Sequence, residues 1–140
     1  MSLNQATLAD IAVRADRFRD DEQWLGAAVL YGELLENGQP STHSWVQYAH
    51  MLKEAELFEE ASQAYQFAIA CDGTEPDPRL HLAHLLKRLN RIAGALEAFQ
   101  ALSALPDAPS VEQEMRGLHV TVMQAEPKTP SVFISTRERA

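Results

Sequence analysis

Residues 45–65 read WVQYAHMLKEAELFEEASQAY, and their apolar spacing is that of two short helices joined by a turn. The first helix carries one apolar face, formed by Trp45, Tyr48, Ala49 and Leu52. The second helix keeps a four-residue interval from Ala61 to Tyr65. Because a single helical hairpin cannot bury such faces by itself, this segment predicts stacking against neighbouring hairpins of the same kind.

The chain matches itself when it is shifted by 34 residues. Five columns then hold small or apolar residues in all three copies. They are Ala15, Ala49 and Ala83; Phe18, Leu52 and Leu86; Ala27, Ala61 and Ala95; Tyr31, Tyr65 and Phe99; and Leu34, Ala68 and Leu102. The alanines indicate close helix crossings, because larger side chains would push the helix axes beyond about 8–10 Å apart. The sequence therefore predicts three hairpins stacked in register, each with an aromatic ring beside a neighbour's small residue.

The apolar spacing predicts two helices in each repeat, at roughly 7–19 and 22–36, 42–53 and 58–71, and 78–89 and 92–104. A seventh helix is predicted at about 110–123, with Val111, Met115, Leu118 and Val122 along one side. Ser110 and Gln113 have the spacing of a capping box at its start. Such a helix would cover the open end of the last repeat.

Glycine and proline mark the loops between the repeats. Gly38 suits the left-handed position that often follows a helix. Asp77 is predicted to cap the fifth helix, with Pro78 in its first turn.

After Ala125 the helical pattern stops. Residues 126–130 are predicted to form a linker, and residues 131–135 read as a short buried strand. A single strand cannot form a sheet alone. Two interpretations follow: a further domain begins near Ser131, or the segment is a disordered tail.

These columns resemble the tetratricopeptide repeat (TPR) family, whose pattern is W-x₂-L-G-x₂-Y followed by A-x₃-F with a period of 34 residues. The middle unit fits best, whereas Arg79 replaces the aromatic in the third unit and Ile11 and Arg14 depart from the pattern in the first. The resemblance implies an all-α fold, with three tandem TPR hairpins in a right-handed superhelix plus a C-terminal capping helix. We expect a TPR domain over residues 1–125, with repeats at about 8–41, 42–75 and 76–109, a cap helix at 110–124, and a linker or tail at 126–140.

Two looser resemblances suggest alternative functions. Residues 45–54 and 80–87 look like repeat arrays that precede glycosyltransferase domains in some bacterial envelope-polysaccharide proteins. The chain is also similar to the short, acidic, three-repeat chaperones of type III secretion. The first resemblance implies the non-catalytic N-terminal region of a larger enzyme, and the second a secretion chaperone.

Composition excludes several classes of function. The formal net charge of −8 argues against binding a phosphate backbone, so no nucleic-acid partner is expected. No stretch approaches 18 consecutive apolar residues, so no membrane insertion is expected. Cys71 is the only cysteine, which rules out an intramolecular disulfide and favours a cytoplasmic location.

The TPR resemblance implies where a partner would bind, because in that family the first helix of each unit lines the concave face. The first unit contributes Ala9, Ala12, Asp16 and Arg19 to that face. The predicted partner-binding residues of the other two units are His43, Gln47, His50, Lys53, His81, His84, Lys87 and Arg88. His50 and His84 share a column, so we expect them to be neighbours across two helices.

Three interpretations of the histidines remain open: a recognition surface for a peptide with acidic or carbonyl groups, ordinary solvated side chains, or a metal site. No H-E-x-x-H or cysteine-rich spacing supports the metal site, so no metal is expected. Because histidine titrates near pH 6.5, a recognition surface predicts that affinity for an acidic ligand rises as the pH falls through about 6–7.

Binding of chaperone tails is disfavoured by the same comparison with the family. The positions that hold a C-terminal carboxylate in chaperone-binding members correspond here to Ala12, Asp16, Gln47, Asp77 and His81. Two carboxylates would stand near the docking carboxylate and repel it.

No catalytic constellation is found in the sequence. The acidic runs at 20–22 and 59–60 are assigned to helix starts, where negative charge is favourable. Cys71 is expected to be a buried thiol, and neither a phosphate-binding loop nor a cofactor motif is present. We therefore predict a non-enzymatic scaffold or adaptor module without a cofactor, which binds a protein or peptide on its concave face and could also self-associate.

Overall fold

The computed structural model describes residues 3–125, which form seven α-helices and no strand. The helices are α1 (Gln5–Asp20), α2 (Trp24–Asn37), α3 (Thr42–Glu54), α4 (Phe58–Cys71), α5 (Pro76–Arg88), α6 (Ile92–Ser103) and α7 (Glu112–Ala125). The all-α prediction is confirmed. The linker and strand predicted after residue 125 lie outside the described residues. No helix of residues 3–125 has the length and apolar character needed to cross a membrane.

Each helix packs mainly against the next one in the chain. The pairs α1–α2, α3–α4 and α5–α6 form three hairpins, while α2 packs on α3 and α4 packs on α5. The repeat columns explain this order. The alanines of two columns are fully buried: Ala15, Ala49, Ala83, Ala27, Ala61 and Ala95. Tyr65 and Phe99 are also fully buried, and Tyr31 is nearly so, which places the whole aromatic column in the core beside the buried alanine columns' helices.

The turn inside each hairpin has the same geometry in all three repeats. Glu22, Glu56 and Asn90, spaced by 34 residues, adopt left-handed φ angles of 59°, 64° and 62°. The residue after each of them donates its N–H to a carbonyl five residues earlier, as Gln23 does to Phe18 at 2.8 Å. This is the Schellman arrangement that ends a helix.

Several helix boundaries differ from the predictions. Helix α5 begins at Pro76, so Asp77 lies inside the first turn and Glu75 precedes it without a side-chain capping bond. Proline is favourable at this first position because its missing N–H would have no partner there. The N-terminus of α3 carries a capping box between Ser41 and Ser44 that was not predicted from the sequence.

Gly38 ends α2 in an extended conformation, with φ −109° and ψ −156°, so the predicted left-handed geometry is wrong. The glycine is required for a different reason. A Cβ atom at this position would lie 2.8 Å from the carbonyl oxygen of Leu34, which is closer than real Cβ atoms approach.

Helix α7 covers the last repeat with its first half only. This helix begins at Glu112, so the residue immediately before it is Val111 and not Ser110. The capping box predicted between Ser110 and Gln113 is therefore wrong. Val111 and Leu118 are buried against the core of the third hairpin. Val122 is 39% exposed, so the predicted apolar side of this helix does not continue to its end.

Candidate functional site on the first helices

Helices α3 and α5 carry all eight predicted partner-binding residues, but the structure divides them into two groups. The exposed ones are His43, His84, Lys87 and Arg88. The partly buried ones are Gln47, His50, Lys53 and His81. The difference arises because some of these side chains pack within the repeats.

His50 is held by the second helix of its own hairpin. Its Nδ1 atom lies 2.6 Å from the hydroxyl oxygen of Tyr65, and the two rings meet edge to face. The first hairpin contains the equivalent pair, because Tyr31 donates its hydroxyl to Asp16 at 2.6 Å. His50 and Asp16 are therefore positioning residues for the hairpins, rather than freely available ligands.

His84 occupies the same column in the third hairpin but has a different environment. The ring beneath it is Phe99, 5.3 Å away and edge to face, and phenylalanine has no hydroxyl to bond the imidazole. His84 is thus exposed, and among residues 3–125 neither of its ring nitrogens has a hydrogen-bond partner, so both can bind a ligand.

The prediction that His50 and His84 are neighbours is wrong. The ring next to His50 is His81, with centroids 4.5 Å apart. Tyr65 explains this arrangement, because its ring lies 5.6 Å from that of His50 and stacks on that of His81 at 5.8 Å. The ring of His84 instead lies edge to face against Phe99 of α6.

The electrostatic state of this cluster also differs from the prediction. Burial is the main cause that lowers the pKa of His50 to about 4, and the nearby His81 and Lys53 contribute to the same shift, while Asp77 opposes it. Burial is also the main cause of the lowered pKa of His81, followed by Lys53, while Asp77 opposes the shift. The imidazole of His50 is therefore neutral at pH 6–7 and cannot supply the predicted rise in affinity for an acidic ligand, while the lowered pKa of His81 moves any contribution of that ring to lower pH.

A cavity of about 390 Å³ opens between the N-terminal ends of α3 and α5. His43 and Val46 line one side, and Asp77 and Pro78 line the other. The lining also includes Asp72 and Glu75, from the loop between α4 and α5, with Ser41 and Thr42. This end of the face is therefore acidic. The loop residues could not be recognised from the sequence, because glycine and proline there indicate only a connection between two helices.

The opposite end of the same face is basic. Lys53 and Lys87 stand in one column near the C-terminal ends of α3 and α5. The Nζ atom of Lys53 lies 4.0 Å from Oε1 of Glu54, so this ion pair is weak. Lys87 is exposed. Arg88 is less available, because its guanidinium lies 4.9 Å above the ring of Phe58 and so packs against α4.

The structure also places the cysteine and the acidic runs that the sequence singled out. Cys71 is exposed, so the expectation of a buried thiol is wrong. Glu59 and Glu60 lie in the first turn of α4 as expected, whereas Asp20 ends α1 and pairs with Arg19 at 3.2 Å. Within residues 3–125 there is no group of three side chains that could hold a metal ion.

Comparisons with known proteins identify the fold. No protein-family model matches the sequence, and no curated protein matches it. Solved structures do match. PcrH from Pseudomonas aeruginosa is 18% identical, with a TM-score of 0.68 over 87% of this chain and 96% of that one. The TPR2B domain of yeast Sti1, in complex with pHsp70, is 19% identical, with a TM-score of 0.67 over 86% and 98%.

The TPR domain of Sgt2 from Aspergillus fumigatus is also similar, at 13% identity and a TM-score of 0.71 over 89% of this chain and 83% of that chain. At such low identities these similarities show the fold alone. Together with the helix order and the buried alanine columns, they show that residues 3–125 have the TPR fold.

Proposed function

We propose that this chain is a non-catalytic TPR module that binds a segment of another protein along the face formed by α3 and α5. The observation that carries the proposal is the set of exposed polar side chains that the hairpins do not use. His84 and Lys87 protrude from α5, and His43 lies beside the cavity at the start of α3.

The similar structures support a protein segment as the class of ligand. PcrH has also been solved in complex with the chaperone binding region of PopB, and the TPR2B domain of Sti1 in complex with pHsp70. A rigid face of stacked hairpins suits such a ligand, because the receptor loses little conformational freedom on binding.

The charges along the face indicate how a bound segment would be oriented. A basic group of the ligand would lie toward Asp77 and the neighbouring carboxylates, and an acidic or carbonyl group toward Lys53 and Lys87. Between these ends, the imidazole of His81 and the amide of Gln47 can form hydrogen bonds with polar groups of the ligand. His50 and Arg88 act through their packing on Tyr65 and Phe58.

The test uses a peptide selected from a random library against the full chain. Its affinity is then measured for the wild type and for the double variant His84→Ala/Lys87→Ala. A matched control replaces one histidine and one cation outside this face, His119→Ala/Arg116→Ala on α7, both of which are exposed. We expect at least about a tenfold loss for the first variant, equivalent to about 1.4 kcal/mol, and less than about twofold for the control.

Equal losses for both double variants would refute the assignment of the binding face. A peptide that binds all three proteins with the same affinity would refute it as well, because the selected ligand would then occupy a different surface.

The similarity to PcrH favours a second candidate function, namely a chaperone that keeps an apolar partner segment soluble. This similarity extends over most of both chains. A chaperone predicts that the partner is insoluble when expressed alone and soluble when co-expressed with this chain. An adaptor predicts that the partner is soluble in both cases. No such similarity supports the glycosyltransferase alternative.

A further inference from the structure

A second groove lies between α2 and the hairpin of α3 and α4, and it shares no lining residue with the cavity between α3 and α5. It has a volume of about 450 Å³. Leu25 and Val29 of α2 form one wall, and Tyr48 of α3 and Leu57 before α4 lie opposite. An adjoining cavity shares Tyr48 and is lined by the stacked rings of Trp45 and Phe67, whose centroids are 4.8 Å apart. We refer to these two cavities together as the outer groove.

The apolar side chains of the outer groove are unusually exposed. Leu25 is 59% exposed, Val29 57% and Phe67 54%. Leu25 and Val29 are one helical turn apart, so their side chains project side by side from α2. An exposed apolar patch of this kind marks a surface that another molecule covers.

The repeat itself shows that the fold does not require these apolar residues. The column of Leu25 holds Glu59 in the second unit and Ala93 in the third, and Glu59 is paired there with Arg91. The column of Val29 holds Gln63 and Glu97. These positions are exposed in all three units. Polar residues therefore serve the same packing equally well, and the apolar residues of the first unit need another explanation.

The charges around the outer groove identify the kind of partner. Glu33, Glu36 and Glu60 line it, and no lysine or arginine is among the residues lining either cavity. A second copy of this chain would bring the same carboxylates and a net charge of −8 to the contact, so like charges would oppose it. A basic partner would be attracted instead.

We propose that the outer groove is a second docking surface, for an amphipathic helical segment of a partner protein with apolar and basic residues. Its apolar side chains enter between Leu25, Val29 and Phe67, at the spacing by which a helix presents one face to a groove. Its lysine or arginine side chains pair with Glu33, Glu36 and Glu60. This surface is distinct from the face of α3 and α5, so the chain can hold two segments at once.

The probe is a fluorescent peptide of about 18 residues, made of leucine and lysine with helical periodicity, so that one face is apolar and the other basic. A second peptide carries glutamate in place of lysine. Binding to the full chain is measured by fluorescence anisotropy, and the binding surface is located from amide chemical shifts. We expect the leucine–lysine peptide to bind, to lose affinity as salt is raised, and to shift the amides of Leu25, Val29 and Phe67.

The matched variant is Leu25→Glu/Val29→Gln, which introduces the residues that the second unit carries at Glu59 and Gln63. Because the fold already tolerates them there, the variant should remain folded, as circular dichroism would confirm. We expect it to bind the leucine–lysine peptide at least about tenfold more weakly, as expected when anchoring residues of an interface are lost. The variant His84→Ala/Lys87→Ala should bind it within about twofold of the wild type, well under the tenfold step of 1.4 kcal/mol.

Three results would overturn the inference. The first is that the leucine–glutamate peptide binds as tightly as the leucine–lysine peptide, which would show that Glu33, Glu36 and Glu60 do not select a basic partner. The second is a loss of binding in the His84 variant but not in the Leu25 variant, which would place the peptide on the face of α3 and α5. The third is a concentration-dependent dimer, seen by light scattering and abolished by Leu25→Glu/Val29→Gln, which would make a second copy the occupant.

Discussion

Replacing Tyr31 by phenylalanine removes a single oxygen atom and tests whether the hydroxyls of the aromatic column hold the hairpins together. That hydroxyl donates to Asp16 Oδ1 at 2.6 Å and accepts a bond from Arg19 at 3.2 Å. The ring stays in place, because Phe99 fills the same column in the third hairpin without a hydroxyl. The change therefore isolates the two hydrogen bonds from the packing.

The expected cost follows from the charge and exposure of the partners. A hydrogen bond to a charged group contributes about 1.5–3 kcal/mol. The side chain of Asp16 is 53% exposed, so water replaces the lost donor in part and the lower end applies. We expect the free energy of unfolding to fall by about 1–1.5 kcal/mol. For a chain of this size the melting temperature would then decrease by about 3–8 °C.

Urea unfolding followed by circular dichroism measures this difference, provided that the slope of the transition is unchanged. A double-mutant cycle with Asp16→Ala isolates the pair, and we expect a coupling energy of about 1 kcal/mol. Tyr48→Phe is the control, because within residues 3–125 its hydroxyl has no protein hydrogen bond. A coupling energy below about 0.3 kcal/mol would refute the reasoning, because such a value is indistinguishable from additivity.

Three further predictions concern single positions. Gly38→Ala should destabilise the fold by about 1–3 kcal/mol, as overpacking does, because the added Cβ atom would press on the Leu34 carbonyl oxygen. Gly117→Ala is the matched control in the same urea assay, because a Cβ atom added there would meet no atom within 4 Å. We expect it to stabilise the fold by about 0.5–1 kcal/mol. The low pKa of His50 means that the unfolded chain takes up its proton first, near pH 6.5. The free energy of unfolding should therefore fall as the pH drops from about 6.5 towards 4; a His50→Gln variant with an equally steep fall would contradict this. The thiol of Cys71 should react completely with an aromatic disulfide reagent in the absence of denaturant, and protection from the reagent would contradict its exposure.

The fold could be predicted from the sequence because packing in a repeat array involves neighbours along the chain. The column of Ala27, Ala61 and Ala95 lies in the same fully buried surroundings in each hairpin, as its identical spacing implied. The turns were harder to predict. Glu22 and Glu56 adopt a backbone conformation that usually requires glycine or asparagine, so only Asn90 carried a recognisable signal.

The candidate site was predicted less well, because the sequence indicates the helix face of a side chain and not its partner. His50 was placed on the correct helix, but its bond to Tyr65 was not foreseen. The signal was present in the columns, since the third unit replaces this tyrosine by Phe99, which has no hydroxyl to bond His84. The exposure of Cys71 had no consistent signal, because its equivalents are the polar Asn37 in the first unit and the apolar Leu105 in the third.

The identical turns at Glu22, Glu56 and Asn90 determine which changes in length the chain can accommodate. Each turn stops one helix and starts the next at a fixed angle, so one residue inserted there rotates the following helix by about 100°. The small side chains of that helix would then face solvent, and bulky side chains would lie where it crosses the neighbouring helix. Loss or gain of a complete hairpin leaves every such angle unchanged. Variation in length among such chains should therefore occur in whole hairpins, with smaller insertions confined to the loops between them.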